Sequence, residues 1–481
     1  MKAVLANLGF IFQIAGVLTL PSILVGFYYN EINAVISFFI TATVYFFIGF
    51  LLNALSERKR LSFKSSCILL SMTFFFLAIV NSIPYLYLNI FSDPDPLVQF
   101  TNSYLEAVSG QTTTGITLIK DVESLPQSMI LFRGLSQWVG GMSIIFILLS
   151  FLYPEKSIVS VGKVIGLIDG KTKIKKTFSS ILTIQFFYIV VFSLLFYFIG
   201  SLTHPVQTVS MVISSIAAGG IKPVNDMSTI LYYPNNVILC VLMVIAATSF
   251  TIHRKLFAGK FKSAFTKEFW VFLLIIFFAV FILNYFAKWN LQSAFFHVIS
   301  ASTSSGYSLL DFTQLSELTK FLFISLMFIG GMSFSPANGI RVARLLMFVK
   351  SIPWVIKNVL TGKEEPFVFN GKEVKTSDFY LNIAYIILAG FFVILCAVIF
   401  SLEHFPFTDS LFESVTLFTN TGIPFNVLTI TSPLYLKWLA IFMMILGRIE
   451  IFPFLIAFSS YPKEEKPKEE KLSLPKAPIG G

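Results

Sequence analysis

The chain has 481 residues, of which 56% are apolar and only 12% are charged, with a net charge of +10. That charged share is about half of the usual quarter found in soluble domains, which excludes an ordinary soluble protein. The apolar residues form segments of about 20 residues or more, long enough to cross about 30 Å of hydrocarbon as helices. The basic excess is then a signal of membrane topology, and it predicts no nucleic-acid partner.

The first elements in chain order are two apolar segments, at about residues 4–29 and 32–55, joined by the short turn Tyr29-Asn30-Glu31. They predict a helical pair that carries no pore loop. A basic run from Arg58 to Lys64 follows and marks a cytoplasmic turn. We therefore predict that residues 1–60 form a separate N-terminal unit.

A module then occurs four times, each made of an outer helix, a short half-helix, a glycine-ended loop and an inner helix. The predicted modules cover residues 61–155, 156–262, 263–350 and 351–462. Residues 463–481 are rich in Lys, Glu and Pro, which predicts a disordered cytoplasmic tail. The predicted fold is an all-α integral membrane protein of about ten transmembrane helices, with four helix–pore loop–helix modules around one pore.

The four loops align on a glycine and carry small or hydroxyl side chains before it. They are Thr112-Thr113-Thr114-Gly115, Ala217-Ala218-Gly219-Gly220, Thr303-Ser304-Ser305-Gly306 and Thr419-Asn420-Thr421-Gly422. Six residues before each glycine stands another hydroxyl residue, which is Ser109, Ser214, Ser300 or Thr416. Small residues let backbone carbonyls converge on one axis, where such oxygens replace the hydration shell of a permeating cation. We therefore predict that these loops form an ion-binding selectivity filter.

The half-helices before the loops carry start signals. Asp95-Pro96 and His204-Pro205 place proline in the first helical turn, and Asn290 and Thr408 are predicted N-caps. Each half-helix would aim its carbonyl end, with about half an elementary negative charge, at the pore axis. Four such ends favour a cation over an anion. Glu106 and Glu413 lie nine residues before their glycines and are predicted structural partners of the half-helices.

About 25 residues after each loop glycine, the inner helices carry a second repeated pattern. It reads Gly140-Gly141-Met142-Ser143, Ala246-Ala247-Thr248-Ser249, Gly330-Gly331-Met332-Ser333 and Leu446-Gly447-Arg448-Ile449. Small residues here allow close helix packing or bending, and both remain open in the first two modules. In the third, Pro336 and Gly339 follow the two glycines, so we predict an unwound segment beneath the filter.

Arg448 places a charge inside a membrane segment. Such charges are costly and usually face a water-filled path or a partner. A salt bridge with Glu450 and a snorkelling side chain are the structural alternatives. We favour a position at or beside the pore.

Most of the 35 Lys and Arg residues fall at the N-terminus, in the turns after the inner helices and in the tail. The positive-inside rule therefore predicts that both termini are cytoplasmic. The basic residues on the other side are Lys120, Arg133, Lys222, Lys288, Lys320 and Lys437. Acidic residues of the outer loops either concentrate cations at the mouth or are simply solvated, and they are Asp93, Asp95, Asp121, Glu123, Asp226 and Asp311.

Several of these stretches together resemble the membrane subunit of the Trk/Ktr/HKT superfamily of potassium transporters, over nearly the whole chain. They are Thr112–Ile116, Arg133–Met142, the interruption of the third inner helix through Val342, and Leu446–Phe452. The extra N-terminal pair is similar to the Trk branch rather than to the eight-helix Ktr branch. The chain departs from the family pattern in the second loop, which lacks hydroxyls and carries Lys222, and in Phe334, Pro336 and Asn338 of the interruption.

The resemblance implies channel-like potassium uptake across the inner membrane of a bacterium or archaeon, with potassium at the filter residues and no covalently bound cofactor. It also implies an intramembrane gate, formed by Gly330, Gly331, Ser333, Ser335, Pro336, Asn338 and Gly339 together with Arg448. It further implies a homodimer on a ring of nucleotide-binding cytosolic subunits of the TrkA/KtrA type. We expect that subunit to dock on basic turns near Arg341, Arg344, Lys350 and Lys171–Lys176.

Two other classes of function are alternatives. A sodium- or proton-coupled symporter would also use broken helices, usually in two related halves with paired interruptions. Four filter-like loops with one interruption favour a channel-like path instead. An enzyme would need convergent acid, base or metal-binding groups, whereas His204, His253, His297 and His404 are scattered, so we predict no enzymatic activity.

Overall fold

A computed structural model of the protein describes residues 1–55, 61–150, 174–362, 365–369 and 372–460. The basic run at Arg58–Arg60, the expected docking residues Lys171–Lys173 and the predicted tail at 463–481 lie outside these residues. The regular secondary structure of the described part is helical apart from one short antiparallel hairpin, formed by β1 (Val368–Phe369) and β2 (Lys372–Glu373). The all-α class predicted from the sequence is confirmed.

The helices follow the predicted order of outer helix, half-helix and inner helix. Their bounds are α1 Lys2–Tyr28, α2 Ile32–Ala54, α3 Phe63–Asn81, α4 Ile83–Tyr87, α5 Pro96–Gln111, α6 Gln127–Ser150, α7 Ile174–Phe198, α8 Pro205–Ile216, α9 Asn235–Ala247, α10 Phe250–Phe257, α11 Lys267–Tyr285, α12 Leu291–Ser302, α13 Glu317–Ile329, α14 Val342–Thr361, α15 Thr376–Ser401, α16 Phe407–Phe418, α17 Leu434–Ile449 and α18 Ile451–Phe458. Short 3₁₀ turns lie at Met227–Thr229, Phe261–Ser263 and Phe312–Gln314.

The N-terminal pair α1 and α2 packs closely and is fixed to the first inner helix α6. A Cβ on Gly9 would lie 2.7 Å from the carbonyl oxygen of Gly49, so only glycine permits this approach of the two helices. In the turn between them, the Glu31 carboxylate accepts the backbone N–H groups of Gln127 at 2.6 Å and Ser128 at 3.0 Å. These N–H groups begin α6 and have no partner within that helix, so Glu31 acts as its cap.

The longest helices present apolar side chains outward, as a bilayer requires. On α11, for example, Phe277, Phe278 and Phe281 are all exposed. The described residues contain six helices long and apolar enough to cross a membrane, or up to eight if each of two bent helix pairs counts as one span. The expected total of about ten transmembrane helices and the module boundaries stay predictions.

Two inner helices are sharply bent, which the sequence left open for the second and did not predict for the fourth. The second is split into α9 and α10, which meet at 103°, and the fourth is split into α17 and α18, also at 103°. The first bend follows because Ser249 starts a new helix, its hydroxyl accepting the N–H of Thr251. The second occurs at Glu450, whose φ of 69° is incompatible with a continuing α-helix. The third inner helix is interrupted between Ile329 and Val342, as predicted.

The start signals of the half-helices are mostly confirmed. Asp95 accepts the N–H of Leu97 at 2.9 Å, and Asn290 accepts that of Gln292 at 2.9 Å. The prediction of Thr408 as an N-cap is wrong, because α16 begins at Phe407 with Pro406 before it. Thr408 therefore already lies inside the first helical turn.

Candidate ion pathway

The four half-helices α5, α8, α12 and α16 end at the same register, four residues before the loop glycines Gly115, Gly220, Gly306 and Gly422. The backbone then reverses in the same way in every loop. The residue two before each glycine has a left-handed φ, which is 62° at Thr113, 53° at Ala218, 56° at Ser304 and 50° at Asn420. Such φ values are uncommon outside glycine, so their repetition shows a shared conformation that sequence similarity alone did not establish.

Hydrogen bonds fix this conformation identically in all four loops. The N–H of the residue before each glycine donates to the carbonyl of the residue six before that glycine, at 2.9 to 3.0 Å (Thr114 to Ser109, Gly219 to Ser214, Ser305 to Ser300 and Thr421 to Thr416). The hydroxyls of the same upstream residues bond the backbone just after the glycine. Ser109 and Ser300 donate to the carbonyls of Ile116 and Tyr307, while Ser214 and Thr416 accept from the N–H groups of Ile221 and Ile423. The repeated hydroxyl therefore closes each loop.

The loop glycines form a closed ring. A Cβ on Gly115 would lie 3.0 Å from the backbone of Gly220. Around the rest of the ring, a Cβ on Gly220 would overlap the Ser305 carbonyl oxygen, one on Gly306 that of Thr421, and one on Gly422 that of Thr114. Each glycine thus touches the next loop in cyclic order. The four loops, distant in sequence, surround one axis, and every predicted filter residue is buried.

The second loop departs from the other three, as its sequence indicated. Gly220 does not share the left-handed φ of Gly115, Gly306 and Gly422. Lys222, two residues past the glycine, extends its ammonium group to the Ser308 hydroxyl of the third loop at 3.1 Å. The positive charge just past the second loop is therefore directed against the third loop.

A polar residue nine before the loop glycine supports the chain three residues after it. Glu106 accepts the N–H of Leu118 at 3.0 Å, and His297 accepts that of Leu309 at 3.1 Å. In the second module the downstream residue is Pro223, which has no N–H to satisfy, and the upstream residue is Met211. Glu413 also lies beside backbone N–H groups, those of Phe425 and Val427. The structural role predicted for the two glutamates is confirmed.

Glu106 is also the anion of a buried ion pair. Arg133, whose side chain is fully buried, contacts the Glu106 carboxylate at 2.9 Å and the carbonyl oxygen of Lys222 at 3.3 Å. A single guanidinium therefore links the first loop to the second. Breaking such a pair would leave an unpaired buried charge, which is strongly destabilising. The ion pair therefore fixes the position of the two loops relative to each other.

The interrupted segment, residues 330–341, lies against the inner side of the loops. Gly330, Phe334, Gly339 and Arg341 all have left-handed φ values, of 69°, 59°, 92° and 78°. The segment has few internal hydrogen bonds and is held mainly from outside. Asn338 exchanges hydrogen bonds with the Ser304 hydroxyl at 3.3 Å and donates to the Thr113 hydroxyl at 3.4 Å. Asn338 thus joins the segment directly to two of the loops.

Arg448 binds the same segment. Its guanidinium donates to the carbonyl oxygen of Pro336 at 3.1 Å, to the side-chain oxygen of Asn338 at 2.8 Å and to the carbonyl oxygen of Gly140 at 3.0 Å. The expected alternative of a salt bridge with Glu450 is wrong. Glu450 lies at the break after α17 and pairs with other arginines. Arg448 is a buried link between the fourth inner helix, the first inner helix and the interrupted segment.

Glu450 instead binds two arginines at the end of the interrupted segment. It contacts Arg344 at 2.7 Å and Arg341 at 3.1 Å, and the Arg344 guanidinium lies 4.0 Å from the centre of the Tyr385 ring. Arg341 and Arg344 are therefore engaged with Glu450 in this cluster, and docking of a partner near this turn stays a prediction. Of the three residues named on this turn, Lys350 alone is exposed.

Sequence reasoning missed Glu268, which also supports the segment. Its carboxylate accepts the N–H of Ser333 at 2.7 Å, while Met332 donates to the carbonyl of Ala247 at 3.1 Å and Phe250 to that of Phe334 at 2.8 Å. A lone acidic residue at the start of the very apolar helix α11 was the available signal. That signal is weak, because acidic residues are ordinary in the first turn of a helix.

The outer carboxylates serve partly as structural acceptors. Asp121 accepts the side-chain amide of Asn225 at 2.8 Å, and this bond, with others from its own turn, lowers the pKa of Asp121. Asp226 accepts both the hydroxyl and the N–H of Ser228, which lowers its pKa as well. Both carboxylates are therefore ionised at neutral pH. Among the described residues, no group of three or more His, Cys, Asp or Glu is placed to hold a metal ion.

Comparisons with known proteins agree with this architecture. A family model named TrkH and described as a cation transport protein matches residues 267–468. An uncharacterized cation transporter of Methanocaldococcus jannaschii is 29% identical, over 96% of this chain and 96% of that protein. The Trk system potassium uptake protein TrkH of Escherichia coli K12 is 26% identical, over 84% of this chain and 86% of that protein.

The crystal structure of the potassium transporter TrkH from Vibrio parahaemolyticus has the same fold, with a TM-score of 0.83, 22% identity and coverage of 95% of this chain and 98% of that one. The membrane-length helices and the four half-helix loops define an all-α integral membrane protein. Residues 267–468 match the TrkH family of cation transport proteins, and most of the chain is similar to Trk system potassium uptake proteins. The resemblance stated from the sequence is confirmed.

Proposed function

We propose that the chain takes up potassium ions through the opening that its four loops surround. The observation that carries this proposal is the ring in which each loop glycine touches the next loop. Relatives named as potassium uptake proteins cover most of the chain, which supports potassium as the ion. The coarser assignment, a membrane transport protein, is supported by the matched family model and by these relatives. We infer no enzymatic activity.

The ligands of the ion would be backbone oxygens. In three loops, the hydroxyl three residues before the loop glycine is hydrogen-bonded to the hydroxyl of the residue just before that glycine. The pairs are Thr112 and Thr114 at 2.7 Å, Thr303 and Ser305 at 2.9 Å, and Thr419 and Thr421 at 2.8 Å. These hydroxyls are thus used within the loop, which leaves the carbonyls to replace water around the ion. The carbonyl ends of the four half-helices add negative potential.

We infer that the interrupted segment, with Arg448, gates this path. The segment is mostly buried, lies against Thr113 and Ser304, and lacks the internal hydrogen bonds of a helix, so a bias of a few kcal/mol could shift its position. As part of the same proposal, the chain forms a homodimer in the cell inner membrane with both termini cytoplasmic. A cytosolic nucleotide-binding subunit of the TrkA/KtrA type would supply the bias.

The test is cation flux into lipid vesicles that hold the purified chain, measured separately for potassium, rubidium, sodium and lithium. Vesicles without protein and vesicles with heat-inactivated protein are the controls. Faster uptake of potassium and rubidium supports the proposal. Equal uptake of sodium, or uptake no greater than in the controls, refutes it.

A sodium- or proton-coupled symporter is the second candidate. The two inner helices that bend by 103° and the interrupted third helix are discontinuities of the kind that such transporters place near their sites. A coupled mechanism predicts uphill potassium accumulation when only a sodium or proton gradient is imposed. A channel-like path predicts none.

A further inference from the structure

In three of the four loops, a pair of hydrogen-bonded hydroxyls connects the loop to its own half-helix. The threonine three before each of these loop glycines donates to its own half-helix, from Thr112 to Val108 at 2.8 Å, Thr303 to Ile299 at 2.7 Å and Thr419 to Val415 at 2.8 Å. It also bonds the hydroxyl of the residue just before the glycine. The residue whose carbonyl lies in the ring is therefore tied to a rigid helix.

The second loop lacks this device entirely. Ala217 and Gly219 occupy the two positions, so neither hydroxyl exists. Glycine also has the widest conformational freedom of any residue. The second loop, with Gly219 followed by Gly220, is therefore the least constrained of the four. Yet its backbone follows the others, with φ of 53° at Ala218 and the Gly219 N–H bonded to Ser214 at 2.9 Å. Something else must hold it.

The Gln137 side chain occupies the missing position. It extends from the first inner helix α6, is fully buried, and supplies all three of the atoms nearest to where a Cβ on Gly219 would lie, each within 3.0 Å of that point. Its side-chain oxygen accepts the Ser214 hydroxyl and, at 3.4 Å, the N–H of Ile221. Because Ser214 also accepts from Ile221 at 3.2 Å, the amide, the hydroxyl and the loop form one network.

The other inner helices carry no such group. Three residues before the repeated small-residue pattern, where Gln137 stands, they have Met243, Met327 and Met443, all buried. A polar side chain at this position is thus confined to the helix that faces the loop without hydroxyls. Glutamine thus accompanies the one loop that lacks the hydroxyl pair, and methionine occupies the matching position of the other three inner helices.

We propose that Gln137 is a positioning residue of the second loop, whose amide replaces the hydroxyl pair of the other loops and sets the selectivity of the ring. The proposal rests on the proposed potassium pathway. The φ of Gly219 lies outside the left-handed region, so its backbone accepts a side chain and Gln137 is what stands in the way.

The experiment exchanges one device for the other. Gln137→Met gives the helix the residue of the other modules, and we expect the potassium-to-sodium flux ratio to fall about ten-fold, the factor expected for the loss of one or two buried hydrogen bonds. Gly219→Ser alone should also lower the ratio, because the serine overlaps Gln137. The triple variant Ala217→Thr, Gly219→Ser, Gln137→Met should restore the ratio to within about two-fold of wild type. Met243→Leu, at the matching position, should leave it unchanged.

The thermal midpoint in detergent supplies a readout that does not depend on ion selectivity. Gly219→Ser should lower it, and adding Gln137→Met should raise it again, since the overlap is relieved. A wild-type ratio in a folded Gln137→Met variant overturns the proposal. So does a triple variant that fails to fold or does not regain the ratio. If the wild-type chain itself shows no preference for potassium, the proposed function fails, and the coupling between Gly219 and Gln137 is decided by the midpoints.

Discussion

Replacing Arg448 by alanine should raise basal ion flux. The guanidinium donates three hydrogen bonds, and two of them go to the interrupted segment, at Pro336 and Asn338. If this segment closes the path, Arg448 holds it closed. A fixed positive charge beside a dehydrated cation is also repulsive in a medium of low dielectric constant. Both effects predict more flux when the side chain is removed.

The size of the effect follows from the bonds. A hydrogen bond from a charged donor contributes about 1.5–3 kcal/mol, so losing two weakens the closed position by at least about 3 kcal/mol. Because about 1.4 kcal/mol is a factor of ten in an equilibrium constant, the open population should rise by about two orders of magnitude. Basal flux should therefore increase between about ten-fold and a hundred-fold, with saturation once the path is mostly open.

The assay is radioactive rubidium uptake into vesicles at matched protein content, with no regulatory subunit present. Two variants separate the causes. Arg448→Lys keeps the charge but loses the planar fork of donors, so it should give an intermediate increase. Asn338→Ala removes one acceptor and leaves the charge in place. It should raise flux only if anchoring of the segment matters.

The reasoning is refuted if Arg448→Ala lowers flux while the thermal midpoint and elution volume stay those of wild type. Arg448 would then be needed for conduction. An unchanged flux in Asn338→Ala beside a large increase in Arg448→Ala would reject anchoring and leave electrostatic repulsion as the cause.

Three further predictions concern the loops and the segment. Gly115→Ser should lower potassium-over-sodium selectivity in flux assays more than it lowers stability, because a side chain at a φ of 83° would press on Gly220; unchanged selectivity in a folded variant argues against the filter. Arg133→Met should destabilise the protein by about 3–5 kcal/mol in equilibrium unfolding, and adding Glu106→Gln should recover part of that loss; additive losses would contradict the buried pair. Deleting Ser333–Ala337 should raise basal flux and also reduce the response to a nucleotide-loaded regulator; a variant that stays closed and regulated would remove the segment from the mechanism.

The loops could be predicted from the sequence because their structure depends on local chemistry. Hydroxyl residues six before a glycine bond the backbone just after it, and this spacing repeats along the chain. The interruption of the third inner helix could also be predicted, because Pro336 and three glycines disfavour a continuous helix. The site could be located to this extent without any knowledge of tertiary contacts.

The bends of the second and fourth inner helices could not be predicted in the same way. Thr248-Ser249 is compatible with helix packing as well as with a break. Glu450 has a left-handed φ, and a glutamate in the sequence does not predict such a conformation. The partners of Arg448 were also out of reach. They lie more than a hundred residues away, at Pro336, Asn338 and Gly140, and long-range contacts of this kind leave no local pattern.

The most direct test of the central claim is to locate a heavy potassium analogue in the protein. Crystals grown in potassium and transferred to rubidium should give an anomalous difference map with density on the axis between the loop glycines Gly115, Gly220, Gly306 and Gly422. Crystals transferred to sodium and lithium should show the peak lost and not replaced. Rubidium density elsewhere in the protein and none within this ring would contradict the account.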